Sequence, residues 1–242
     1  MEQFSRTRLL LGTQAMEKLK NARVAVFGLG GVGGYAVEAL ARSGIGSLDL
    51  IDHDTVSLTN LNRQIFATHS TVGMDKTEAA RRRVLDINPE IRVVAHKVFY
   101  TPDTANRFDF TQYDYIIDAI DTVTAKLALI AHAKAADTPI LCSMGTGNKL
   151  NATQFRIADI SKTSVCPLAR VMRKECAKRG LKDVKVLFST EEPIPSSEES
   201  TEELPEGKRS LPGSVAFVPS VAGLLIASEV IQDLIKKQAG FP

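Results

Sequence analysis

Short apolar runs alternate with amphipathic stretches along the first 150 residues of this 242-residue chain. Residues 23–28 form an apolar run ending in glycine, the pattern of a strand covered on both faces of a parallel sheet. Residues 35–43 follow with helical spacing and are stopped by Gly44-Ile45-Gly46. A second strand is predicted at 47–52, and a helix at 75–87 that Asn88-Pro89 ends. Further strands are predicted at 91–96, 113–118 and 139–144, with a helix at 124–136 between the last two. The second half reads as strand 153–158, helix 164–179, strand 184–189, strand 214–218 and helix 220–235. This succession predicts an α/β fold: a Rossmann-like, largely parallel sheet with helices on both faces and a mixed C-terminal extension. Ligands of such a sheet bind at the carboxyl ends of its strands.

Composition changes this picture little, because 44% hydrophobic and 24% charged residues describe an ordinary globular protein. Uninterrupted apolar stretches are too short for a bilayer, and Leu9-Leu10-Leu11 is too short for a signal-peptide core, so a cytoplasmic protein with no membrane contact is expected. Cys142, Cys166 and Cys176 form no C-x-x-C pair, which argues against a disulfide framework and a cysteine-rich zinc site. The net charge of +2 conceals a basic stretch at 168–185 and an acidic one at 191–206. The latter is Pro/Ser-rich and is predicted to be a mobile loop.

Gly28-Leu29-Gly30-Gly31-Val32-Gly33 fits G-x-G-x-x-G between a strand and a helix. Glycines there allow a tight turn and close backbone approach, and the helix N-terminus favours phosphate. Asp52, closing the next strand, is placed to hold ribose hydroxyls. These features alone are those of an NAD-binding domain. The polar cluster that follows (Asp52, His53, Asp54, then Asn60, Asn62, Arg63, Gln64 and Lys76) suits a triphosphate better, since arginine and lysine address phosphate oxygens. Asp121 and Thr122 follow another strand at the same sheet edge, where a carboxylate can hold Mg²⁺.

The order G-x-G-G-x-G, D-x-D-x-V, N-x-x-R-Q, K and D-x-x-D resembles the adenylation domain of the ubiquitin-activating superfamily over residues 6–144. The resemblance implies ATP as cosubstrate, Asp52 on the ribose, and Asn62, Arg63, Gln64 and Lys76 around the phosphates. It also implies Mg²⁺ on Asp121, and a homodimer in which an N-terminal arginine of the partner, matched by Arg6 or else Arg8, completes the site. Arg63, Lys76, Asp121 and Arg6 are then the catalytic candidates. Gly28, Gly30, Gly31, Gly33, Asp54, Asn60 and Thr122 complete the nucleotide-binding set.

Activators of sulfur carriers in this superfamily usually hold zinc through two C-x-x-C pairs, and members that pass the activated chain to a thiol need a cysteine, often in or beyond the loop crossing the active site; this chain has no such pairs and no cysteine after Cys176. Residues 145–150, 158–164, 167–170, 188–191 and 212–220 instead resemble the tRNA threonylcarbamoyladenosine dehydratases. That resemblance implies one adenylation domain over 1–242, with a nucleotide-binding half at 1–150. A substrate- and tRNA-facing half at 151–242 carries the mobile acidic loop 190–212. The reaction implied is adenylation of the threonine carboxylate beside a tRNA anticodon, then displacement of AMP by an internal nitrogen, with net loss of water. A sulfur-relay protein is a further implied partner, and activation of a ubiquitin-like sulfur carrier is the alternative reading.

Arg170, Arg173, Lys174 and Lys178 fall on one side of helix 164–179. A basic stripe attracts a tRNA backbone, but any surface helix also shows a charged face opposite an apolar one. Residues 145–148 follow the strand ending at 144 and are read either as substrate-lining backbone or as a tight turn.

Overall fold

The structure is a computed structural model that describes residues 2–195 and 211–236. Strands β1 (Arg23–Phe27), β2 (Ser47–Asp52), β3 (Arg92–Lys97), β4 (Tyr115–Asp118), β5 (Ile140–Ser143), β6 (Phe155–Asp159) and β7 (Lys185–Ser189) form one sheet. Its order is β3-β2-β1-β4-β5-β7-β6. All neighbours are parallel except β6, which runs antiparallel to β7 and makes the mixed edge. Every residue of β4 and β5 is buried, as continuous apolar runs in a sheet covered on both faces require.

Helices α1 (Ser5–Leu11), α2 (Thr13–Asn21), α3 (Gly33–Arg42), α4 (Lys76–Ile87), α5 (Val123–Ala135), α6 (Pro167–Lys178) and α7 (Phe217–Lys236) flank the sheet. One face packs α2, α3, α4 and α7 around Leu19, Val37, Leu40, Val84, Ile226 and Val230. The other packs α5, α6 and the 3-10 turns at 102–112 around Phe27, Phe108, Leu129 and Met172. Both cores are apolar stripes removed from water, the dominant favourable term in folding.

By length and composition α7 could cross a membrane. Here Val218, Ala222, Ile226, Val230 and Leu234 are buried along one side of it, the 3.6-residue stripe of a core helix. At Gly223 a Cβ would lie 2.3 Å from the Val32 carbonyl oxygen, so only glycine lets α7 approach α3 this closely.

The predicted strand at 214–218 is not formed. Residues 211–215 have no regular structure and α7 begins at Phe217. Side chains take polar groups here: Asn62 holds the Ser214 carbonyl, and Asn148 holds the N–H of the preceding Gly213. Most of the predicted acidic loop, residues 196–210, lies outside the described residues.

Candidate active site

Strand order turns back between β1 and β4, and at such a switch point the strand ends diverge and open a crevice. A cleft of about 390 Å³ lies there. Its floor is the glycine turn. Gly28 has φ +91°, and a Cβ on it would lie 2.6 Å from the Ala119 oxygen. A Cβ on Gly33 would lie 1.8 Å from the Gly28 oxygen, so this glycine is needed to close the turn rather than to face the cleft. Gly28, Gly30 and Gly31 do line it.

Asp52 ends β2 with its carboxylate fixed at both oxygens. Oδ2 accepts from Leu29 N–H at 2.7 Å and Oδ1 from Asp54 N–H at 2.9 Å. The glycine turn and this carboxylate are thereby one rigid unit, and each oxygen keeps a lone pair for a ribose hydroxyl. Asp54 pairs with the buried Lys76 Nζ at 2.6 Å and with His53 Nε2 at 3.1 Å. His53 leans on Phe99, with ring centroids 4.4 Å apart.

Asn60, Arg63 and Gln64 come from the turns after β2 and line the same cleft. The Asn60 amide is partly structural, since its Oδ1 accepts from Ser57 N–H at 3.2 Å. Arg63 donates one guanidinium nitrogen to the Thr59 carbonyl at 3.0 Å and to Asn62 Oδ1 at 2.9 Å. Asn62 is not on the cleft wall: its amide faces Arg63 and Ser214. Thr122 also lies off the wall, one residue beyond Asp121 at the start of α5.

Asp121 is exposed and lines the cleft from the turn after β4. Mg²⁺ takes one or two carboxylate oxygens together with waters and phosphate oxygens, and Asp121 fits that demand. Asp52, His53 and Asp54 also bring ligand atoms within 4.8 Å of one another. Lys76 on Asp54 and the two N–H groups on Asp52 already compensate their charge.

Behind Asp121 lies a pair that hydrophobic periodicity does not reveal. Asp118 and Lys126 are both fully buried, with Nζ 2.9 Å from Oδ2. Lys126 also donates to the Ile120 carbonyl at 3.0 Å, and Asp118 Oδ1 accepts from Ile120 N–H at 3.1 Å. Together they brace the turn that presents Asp121. The one signal for it in the sequence is a lone lysine among Ala125, Leu127, Leu129 and Ile130.

Thr146, from the segment after β5, and Leu211, Ser214 and Pro219, from the second half of the chain, complete the cleft. Thr146 lines the cleft, while Gly147 and Asn148 form a bend packed on Pro212 and Gly213.

Arg6 is exposed on α1 and away from its own cleft, whereas Arg8 pairs with Glu2. On α6 the basic stripe is divided. Arg173 is committed inward, donating to the carbonyl and hydroxyl of the buried Thr163 at 2.7 Å each. Lys178 pairs with Glu175 at 2.8 Å. Arg170 and Lys174 are exposed and have no ion pair among the described residues.

All three cysteines are buried. Burial, with the nearby Asp118 carboxylate adding to it, pushes the Cys142 thiol up, and burial likewise pushes up Cys176. A thiol so shifted is a poor nucleophile.

Fold and cleft together define a switch-point nucleotide-binding α/β protein in which Asp52, Arg63, Lys76 and Asp121 line one cleft. Residues 4–241 match the ThiF family, and the chain belongs to that family. It is 46% identical to the tRNA threonylcarbamoyladenosine dehydratase of Bacillus subtilis, over 98% of this chain and 96% of that one. Its identity to the Escherichia coli enzyme of the same name is 34%, over 98% and 95%. The crystal structure of Escherichia coli tRNA N6-threonylcarbamoyladenosine dehydratase, TcdA, in complex with ATP superposes with a TM-score of 0.88 at 35% identity, covering 97% of this chain and 94% of that one. A complex of the same protein with AMP matches equally well.

Proposed function

We propose that this protein is an ATP-dependent tRNA threonylcarbamoyladenosine dehydratase acting as a single adenylation unit over residues 1–242. The observation that carries the reading is the near-full-length likeness to an ATP-bound enzyme of that activity, on a cleft whose lining suits the ribose and phosphates of ATP. ATP lies with its ribose on Asp52 and its phosphates across the glycine turn, facing Arg63, Gln64 and Lys76. The substrate carboxylate attacks the α-phosphorus, forming an acyl adenylate and releasing pyrophosphate. The internal nitrogen of the modified nucleoside then attacks the activated carbonyl, expelling AMP and closing the ring. The nucleoside has lost one water. Asp121 would hold Mg²⁺, which would supply charge neutralisation at the phosphates. The rest is positioning and fixed electrostatics, the means by which such transfers are accelerated.

Three buried thiols, two of them pushed up, favour this internal nucleophile over a thioester route. A homodimer supports the role of Arg6, because α1 presents Leu9 and Leu10 at 88% and 85% exposure, apolar surface that a second copy would cover. A cytoplasmic location and a sulfur-relay partner belong to the same reading. Incubation with ATP and tRNA carrying threonylcarbamoyladenosine, followed by mass spectrometry of the nucleoside, tests it. Loss of one water is expected; an unchanged nucleoside together with pyrophosphate exchange driven by a carrier protein refutes it.

A further inference from the structure

We propose that Asn62 and Asn148 are positioning residues that aim the Arg63 guanidinium through the 211–214 segment, a proposal that rests on the adenylating role of the cleft. Asn62 has both ends of its amide engaged. Its Oδ1 accepts from Arg63 at 2.9 Å, and its Nδ2 donates to the Ser214 carbonyl at 3.0 Å. Gly213, the preceding residue, is gripped twice by Asn148. The Gly213 N–H donates to Asn148 Oδ1 at 2.6 Å, and the Asn148 N–H donates to the Gly213 carbonyl at 2.8 Å.

Asn148 itself has φ +57°, a left-handed conformation that asparagine tolerates better than most residues. Beside it, a Cβ on Gly147 would lie 2.6 Å from Pro212 Cβ, so the turn and the returning segment are closely packed. A continuous path therefore runs from the turn after β5 through Gly213 and Ser214 to Asn62 and the guanidinium.

The path matters because residues 211–215 belong to no helix or strand. No sheet ladder places Ser214; Asn62 and Asn148 do. An arginine side chain carries substantial rotamer entropy, and a guanidinium aimed in advance stabilises developing charge without reorganising. The bond to Thr59 holds the same nitrogen as the bond to Asn62, so loss of Asn62 leaves Arg63 hinged at one point. Among the described residues the remaining guanidinium nitrogens make no hydrogen bond. The second half of the chain thus orients a phosphate-facing group of the first half.

The test is a set of variants assayed for dehydration of modified tRNA. Asn148→Gly keeps the left-handed backbone and removes only the side-chain bond to Gly213; Asn62→Ala removes the middle of the path. Each lowers kcat about tenfold with little change in the KM for ATP, as expected when a catalytic group is misplaced rather than lost. Asn148→Asp keeps the oxygen that Gly213 needs and restores the rate. In an Arg63→Ala background neither substitution lowers the rate further.

Additive losses in that background, or unaltered rates in both single variants, overturn the proposal. Backbone amide exchange at residues 211–215 gives a second readout independent of turnover. It accelerates in Asn148→Gly and in Asn62→Ala, and unchanged exchange in both removes the path. An inactive wild type with the exchange pattern intact counts against the assigned reaction instead.

Discussion

Replacing Lys126 by methionine leaves the Asp118 carboxylate at the centre of the sheet with its Ile120 N–H bond but without its counter-charge. Methionine fills much of the same volume, so the change is electrostatic rather than a cavity. Removing one partner of a buried ion pair costs about 3–5 kcal/mol. Lys126 also serves the Ile120 carbonyl, whose lost bond pushes the cost towards the upper end of that range. At roughly 2–4 °C per kcal/mol for a chain of this size, the melting temperature falls by about 6–20 °C. Asp118→Asn combined with Lys126→Met recovers much of the loss, because the amide oxygen still accepts from Ile120 and no charge is buried. Calorimetry of wild type, single and double variants at neutral pH measures both quantities. A single variant melting within about 2 °C of wild type would refute the reasoning, as would a double variant less stable than the single one.

Asp121→Ala abolishes adenylation while leaving the melting temperature nearly unchanged, since the side chain is exposed; a folded variant with normal pyrophosphate exchange removes it from the mechanism. Arg170→Glu with Lys174→Glu weakens tRNA binding and flattens its salt dependence by about one unit of slope for each phosphate no longer neutralised, with ATP affinity unchanged. Equal tRNA affinity at two ionic strengths marks that face as merely solvated. Burial pushes the Asp49 carboxyl up, but hydrogen bonds and charge from His96 and Arg23 outweigh it and hold the group below its usual 3.8. A carboxylate depressed in the folded state stabilises above the unfolded pKa and loses that contribution as pH falls through the folded one. Urea titrations from pH 5 downward therefore show a steeper loss of stability in wild type than in Asp49→Asn, and parallel curves would discard Asp49 as a source of acid lability.

The alternation of apolar runs and amphipathic stretches determined the layered α/β architecture, because a strand buried on both faces and a helix buried on one leave different periodicities. Gly28, Gly31, Asp52, Arg63, Lys76 and Asp121 were legible for a related reason: each belongs to a local turn or strand end, so its place at the cleft follows from short-range structure. Long-range pairing was not legible. Nothing in the spacing of Asp118 and Lys126 announces that both are sealed in the interior. A helical wheel puts Arg173 on the basic stripe, yet Thr163 draws it inward. The segment at 214–218 has strand composition but forms no strand, and its start is held instead by Asn62 on Ser214 and Asn148 on the preceding Gly213, more than 60 residues away in the chain. Periodicity records which face of an element is apolar. Which polar group meets which depends on the packing of elements distant in sequence, and only the tertiary structure decides it.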